Sequence, residues 1–318
     1  MKTRIGIAIL LVLALSCGQP GKNTPPAPVT REFPMAEIPM MMSEPAQRAQ
    51  WLALHFWDRF LAEDQLYTCD SVTVNGVAKE DVEKQMGLFA SILLEIPTKA
   101  GQEALVKFYE RLEAFQTAQP EGNVLKEAAA LTSQYFYDPN SPVRNEELYL
   151  PFVSRLAQSA LIEPESRAAY EWEVKVCSLN RPGTPAADFT FIDTAGKRRT
   201  LYGIRAPYTL LIFGNPDCKA CKEIVQVFSE EPQLGNLIQA GTLQVVDIYI
   251  DEEIDVWKER MSAYPKDWIN GYDPDYIIRT DRLYAVRAVP SLYLLDGNKT
   301  VLLKDAPENQ IFNALLTL

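Results

Sequence analysis

The chain has 318 residues, long enough for two hydrophobic cores. Its 47% hydrophobic and 23% charged content is that of an ordinary globular protein. A formal net charge of −11 argues against nucleic-acid partners, because nothing here would neutralise a phosphate backbone, and a single histidine, His55, nearly excludes a histidine triad or a multi-histidine metal centre.

Lys2 and Arg4 precede an apolar run over residues 5–15, which is too short to span a bilayer and reads as an export signal. Ser16 before Cys17 has the pattern of a lipoprotein cleavage site, so residues 1–17 are expected to be a signal peptide ending at a lipidated Cys17. Residues 18–34 carry Pro20, Pro25, Pro26, Pro28 and Pro34, and are expected to form an unpacked tether. The expected location is the periplasm, with the chain anchored to a membrane by lipid rather than spanning it.

Residues 35–175 have helical periodicity. Ser43 is placed to cap a helix through "EPAQRAQWLALHFWDRFLA", with Leu52, Phe56 and Phe60 on one stripe. Leu105, Phe108, Leu112 and Phe115 make a second stripe, and Val124, Ala128, Leu131 and Tyr135 a third. Pro139 and Pro142 break the pattern, which restarts near Asn145. This half reads as an all-helical domain. His55 reads as a packed side chain, and Arg144 beside Glu146 and Glu147 as a strut joining helices.

Residues 183–318 follow a different pattern. "ADFTFIDTAGKRRTLY" alternates on both sides of Ala195-Gly196 and predicts a hairpin. "YTLLIFG" is a continuous apolar run, as for a strand buried on both faces, "LQVVDIYID" reads as another buried strand, and "KACKEIVQVFSEE" between them is helical. "PSLYLLD" and "KTVLLKD" predict a strand pair about the turn "DGNK", and "APENQIFNALLTL" a closing helix. The chain is therefore expected to be α+β with two domains: an all-α half, then a central mixed sheet flanked by helices.

Cys218 and Cys221 fall just after the first buried strand, at the start of the helix. The partial positive charge and unpaired N–H groups of a helix start favour a thiolate, which makes Cys218 the expected attacking sulfur. Cys221, one turn further on, is placed to resolve a mixed disulfide. Lys219 would help that thiolate and Asp217 would oppose it. Of the other cysteines, Cys69 and Cys177 either pair or are separate buried thiols.

The segments "PGTPAADFTFIDTAGK", "LLIFGNPDCKAC" and "VPSLYLLDGNK" resemble the thioredoxin superfamily, in its TlpA-like branch of exported thiol–disulfide oxidoreductases. That resemblance implies a thioredoxin-like fold over residues 183–318. It also implies a cis Val289–Pro290 bond against Cys218, with the Val289 backbone free to pair with a substrate strand. "HFWDRF", "YDPNSPVRNEELYLPF" and "NPDCKAC" further resemble bacterial lipoproteins that fuse a helical domain of unknown function to this redox module. The chain departs from these relatives at several places. Asp217 replaces the usual aromatic residue, Lys219-Ala220 lacks the frequent proline, and Ile212 stands where thioredoxins carry a buried aspartate. Ile224 stands where TlpA-like reductases often carry a glutamate, leaving Asp217 or Glu223 as possible substitutes for proton transfer.

The expected activity is thiol–disulfide exchange with exported proteins, with no cofactor and no metal, and with electrons passing to or from a membrane relay protein. The same residues serve reductase, isomerase and oxidase alike. A zinc site would need Cys69 and Cys177 beside the pair, and a peroxiredoxin would need threonine and proline where Asn215 and Leu211 stand. The alternative is an anchored adaptor that keeps the fold without redox turnover. The helical domain is expected to select clients or to hold the redox face at a set distance from the membrane.

Overall fold

A computed structural model describes residues 29–62 and 65–318. Cys17 and the expected signal segment lie outside the described residues. The N-terminal half contains helices α1 (Pro45–His55), α2 (Lys79–Leu94), α3 (Thr98–Ala118), α4 (Val124–Phe136), α5 (Glu146–Leu156) and α6 (Pro164–Cys177). A short hairpin, β1 (Thr73–Val74) and β2 (Val77–Ala78), lies between α1 and α2. Its turn is Asn75-Gly76, with φ of 47° and 79°, the left-handed pair that a two-residue hairpin needs. Pro45 at the first helical turn, rather than a Ser43 cap, marks the start of α1.

The expected stripe of α3 is buried along its length, from Leu105 to Phe115. Its Phe108 ring stacks on Trp57 at 4.6 Å and lies 5.9 Å from Phe152 of α5, giving this half an aromatic centre. On α4 the expected Val124 and Ala128 are buried, but the buried face continues through Leu125, Ala129, Thr132 and Phe136, leaving Leu131 and Tyr135 only half covered.

The expected tether is too long by six residues. Val29 forms a β-bridge with Tyr67, and the Arg31 N–H donates to the Gly76 carbonyl at 2.8 Å. The Arg31 guanidinium lies 3.5 Å from the centre of the Tyr67 ring, and Phe33 stacks on Phe60 at 5.2 Å. An arginine and an aromatic ring standing among the prolines supply contacts that composition alone conceals.

The C-terminal half contains β3 (Thr190–Asp193), β4 (Arg198–Thr200), β5 (Tyr208–Gly214), α7 (Lys219–Glu230), α8 (Pro232–Gln239), β6 (Leu243–Tyr249), α9 (Ile254–Arg260), β7 (Ile269–Tyr272), α10 (Ile277–Thr280), β8 (Ser291–Asp296), β9 (Val301–Leu303) and α11 (Glu308–Leu316). Among the described residues these strands form one mixed sheet in the order β4-β3-β7-β6-β5-β8-β9. Strands β5, β6 and β7 are parallel; β3 and β8 run antiparallel to the neighbours they meet. Alternation along β5 divides its side chains between two cores. Leu210 and Ile212 pack with Ile224 and Phe228 of α7 and with α8 and α11, while Leu211 and Phe213 pack with Phe189, Tyr284 and Tyr293.

The Arg144 strut does not join helices to one another; it crosses between the halves. Its Nε and Nη2 donate to the Asp305 and Ala306 carbonyls at 2.9 and 3.1 Å. Arg181 grips Glu147 with two bonds of 2.9 and 2.7 Å. Lys304, from the end of β9, donates to the Cys177 carbonyl at 2.9 Å and lies 2.7 Å from Glu146. Cys177 is fully buried, Cys69 is half-buried, and both are free thiols, so the conceivable Cys69–Cys177 disulfide does not form. Among the described residues no helix is long and apolar enough to cross a membrane.

Candidate active site

The site begins where β5 ends. The Asn215 side chain accepts the Asp217 N–H at 2.9 Å, a turn-forming bond that, with Pro216, takes the chain out of the sheet. Helix α7 then starts with Cys218 as its N-cap residue. The Cys218 Sγ accepts the Cys221 N–H at 3.3 Å, satisfying one of the unpaired donors of the helix start. Apolar spacing fixes the rest. Cys221, Ile224 and Phe228 form the buried stripe of α7, so the second sulfur faces the core while the first sits half-buried at the rim.

Opposite Cys218 runs the chain that leads into β8. The Val289–Pro290 peptide bond is cis, and the Cys218 Sγ lies 3.6 Å from the Val289 carbonyl. The structure thus brings together Cys218, Cys221, Val289 and Pro290 as the sequence led one to expect.

The three residues named for tuning lie on the solvent side. Lys219 and Glu223 face each other at 3.4 Å with side chains 91% and 61% exposed. Asp217 lies 3.2 Å from Arg260 and 4.0 Å from Lys222. Neither Asp217 nor Glu223 is the buried carboxylate that the departures at Ile212 and Ile224 called for.

That carboxylate is Asp247, which sequence reasoning missed. It stands on β6 in register with Ile212, so a buried acid reaches the usual depth from the neighbouring strand. Burial, with no cation beside it, pushes its carboxyl up to about 7. Its side chain lies over the α-carbon of Gly214, where an added Cβ would be 2.9 Å from Oδ1. The next residue, Asn215, donates its N–H to the Cys221 Sγ at 3.5 Å, so Gly214 and Asn215 bridge acid and thiol. Burial pushes the Cys221 thiol up from its ordinary value, and the Cys218 hydrogen bond and the charge of Asp247 act in the same direction. The Tyr264 phenol, also held protonated chiefly by burial, neighbours Asp247 and both thiols. The signal was present in "LQVVDIYID", where Asp247 falls inside the buried strand between Val246 and Ile248, unlike Asp251 beyond its end. Among the described residues no group of three or more His, Cys, Asp or Glu side chains is arranged to hold a metal.

A mixed sheet flanked by helices, with a CxxC pair at a strand–helix junction facing a cis-proline loop, defines a thioredoxin-like protein. The chain belongs to the family of the domain of unknown function DUF5106, whose model matches residues 16–180. It is similar over almost its whole length to a thioredoxin-like protein from Bacteroides caccae, with 35% identity, a TM-score of 0.78, and 90% of this chain and 98% of that chain covered. The C-terminal domain of an uncharacterised protein from Bacteroides fragilis has 44% identity and a TM-score of 0.42, covering 43% of this chain and 98% of that one. A putative thiol:disulfide interchange protein DsbE from Chlorobium tepidum has 26% identity and a TM-score of 0.36, covering 42% and 98%. Among curated proteins none matches.

Proposed function

We propose that the chain is an exported, lipid-anchored thiol–disulfide oxidoreductase that exchanges disulfides with other exported proteins through Cys218 and Cys221. The observation that carries this reading is the placement of the two sulfurs. One caps a helix beside the backbone carbonyl of half-buried Val289; the other is buried where the charge of the raised Asp247 carboxyl acts on it.

The Cys218 thiolate attacks one sulfur of a client disulfide. The S–S bond breaks, a mixed disulfide forms, and the other client sulfur leaves as a thiolate that is protonated from water. The client strand lies along the Val289 backbone during this step. Cys221 then gives its proton to Asp247 and attacks the Cys218 sulfur. The Cys218–Cys221 bond closes, and the second client sulfur leaves as a thiol by taking up a proton. The client gains two electrons and the pair loses two, which a dithiol relay protein at the membrane restores. Run backwards, the same steps oxidise a client dithiol, and the potential of the couple sets the direction.

A buried acid within reach of Cys221 removes the main reason for reading the fold as a redox-silent scaffold. Lipid at Cys17 and delivery to the periplasm complete the proposal on the strength of the N-terminal sequence pattern alone. The test is reduction of insulin by dithiothreitol with wild-type protein and with Cys218→Ser. Wild type is expected to accelerate the reaction and the variant to return it to the uncatalysed rate. Equal rates for the two proteins would leave an adaptor.

A further inference from the structure

The Val289–Pro290 loop is held from behind by buried ions. Asp305, two residues past β9, accepts the Ser291 hydroxyl at 2.7 Å, and its other oxygen lies 2.9 Å from Arg287 Nη2. Ser291 directly follows Pro290 and Arg287 precedes it by three positions. One carboxylate therefore grips both ends of the loop whose Val289 carbonyl faces Cys218.

The sheet module does not close this cluster by itself. Arg287 Nη2 also lies 2.9 Å from Glu146 Oε1, and Lys304 Nζ lies 2.7 Å from Glu146 Oε2. Glu146 is the first residue of α5, in the helical half. The Arg287 guanidinium sits 4.1 Å over the Tyr137 ring, also from the helical half. The Glu146 and Arg287 side chains are 4% and 13% exposed, so their attraction is little screened. Both Glu146 oxygens have ionic partners at close range but no well-aligned hydrogen bond. The cluster holds three cations, Arg144, Arg287 and Lys304, against two anions, Glu146 and Asp305. Without Glu146, Asp305 would be left facing Arg144 and Arg287, and Lys304 would lose its ionic partner.

We propose that Glu146 is a positioning residue for disulfide exchange: through Arg287 and Asp305 it holds the Val289–Pro290 loop against Cys218, so that the helical domain completes the docking edge for a client polypeptide. This rests on the redox reading above and assigns the helical domain a part in it. A client strand must lie on the Val289 backbone while its disulfide sits over Cys218. Displacements of about 1 Å in such an arrangement cost up to roughly a hundredfold in rate. A small reagent that needs no docking edge is indifferent to the loop.

The test uses the full chain carrying Glu146→Gln, which keeps the shape and removes the charge. Circular dichroism first establishes folding. Two rates are then compared with wild type: alkylation of Cys218 by iodoacetamide, followed at that residue by mass spectrometry, and catalysed reduction of insulin. Alkylation is expected to stay within about twofold. For insulin kcat/KM is expected to fall roughly tenfold or more, with most of the loss in KM. A folded variant with wild-type insulin kinetics would overturn the proposal, as would equal losses in both assays. If Glu146→Gln does not fold, Ser291→Ala carries the test, since it frees the near end of the loop while Asp305 keeps its ion pair with Arg287. The same split between assays is expected there, and unchanged insulin kinetics would again refute the proposal. Wild-type protein inert towards insulin would instead sink the redox reading itself.

Discussion

Replacing Asp247 by asparagine tests the buried acid directly, because asparagine keeps the shape of the protonated carboxyl and cannot ionise. The folded protein raises this carboxyl from its ordinary 3.8 to about 7 by burial. An acid raised on folding binds its proton more tightly in the folded state. Its contribution to stability is therefore full below about pH 4 and is lost as pH rises to about 7. At 1.36 kcal/mol per pH unit the loss amounts to roughly 4 kcal/mol by pH 8, of which about 2–3 kcal/mol falls between pH 5 and pH 8. The variant does not suffer that loss. Urea unfolding of both reduced proteins at pH 5 and pH 8 reads the difference, and other titrating groups cancel between them. The stability advantage of Asp247→Asn is expected to grow by about 2–3 kcal/mol across that range. A gap independent of pH would mean that the carboxyl is not raised, and the proposed proton acceptor for Cys221 would be lost with it.

Gly214→Ala places a methyl group 2.9 Å from the Asp247 carboxylate oxygen, and is expected to cost about 1–3 kcal/mol. It should also lengthen the life of the mixed disulfide seen by mass spectrometry, and an unchanged lifetime would separate Asp247 from the resolving step. Lys304→Met deprives Glu146 of a buried partner and is expected to cost about 3–5 kcal/mol in chemical denaturation, where a loss below about 1 kcal/mol would show the cluster to be energetically slack.

How much was legible in the sequence depended on how local the signal was. The CxxC pair, the buried strand before it and the proline before β8 are each written in a few consecutive residues, and the structure assembles them as expected. Strand β7 was missed because "INGY" is short and contains Gly271. An added Cβ there would meet the Phe191 ring at 2.5 Å, so glycine serves close packing in a place that reads as a loop. The β1–β2 hairpin was missed although its Asn75-Gly76 turn is a strong signal, because two-residue strands carry no alternation. Asp247 was overlooked because the acid was sought on β5 and near the cysteines in sequence. Parallel pairing brings it level with Ile212 from 35 residues away. The Glu146 cluster joins residues from three separate stretches, and no spacing rule connects them.

The packing of Val29, Arg31 and Phe33 on the helical half also has a mechanical consequence. A pull on the chain at Val29 is taken up first by the bridge to Tyr67 and by the Arg31–Gly76 hydrogen bond. The load passes into the β1–β2 hairpin and the aromatic centre of the helical half before it can reach the sheet that carries the two cysteines.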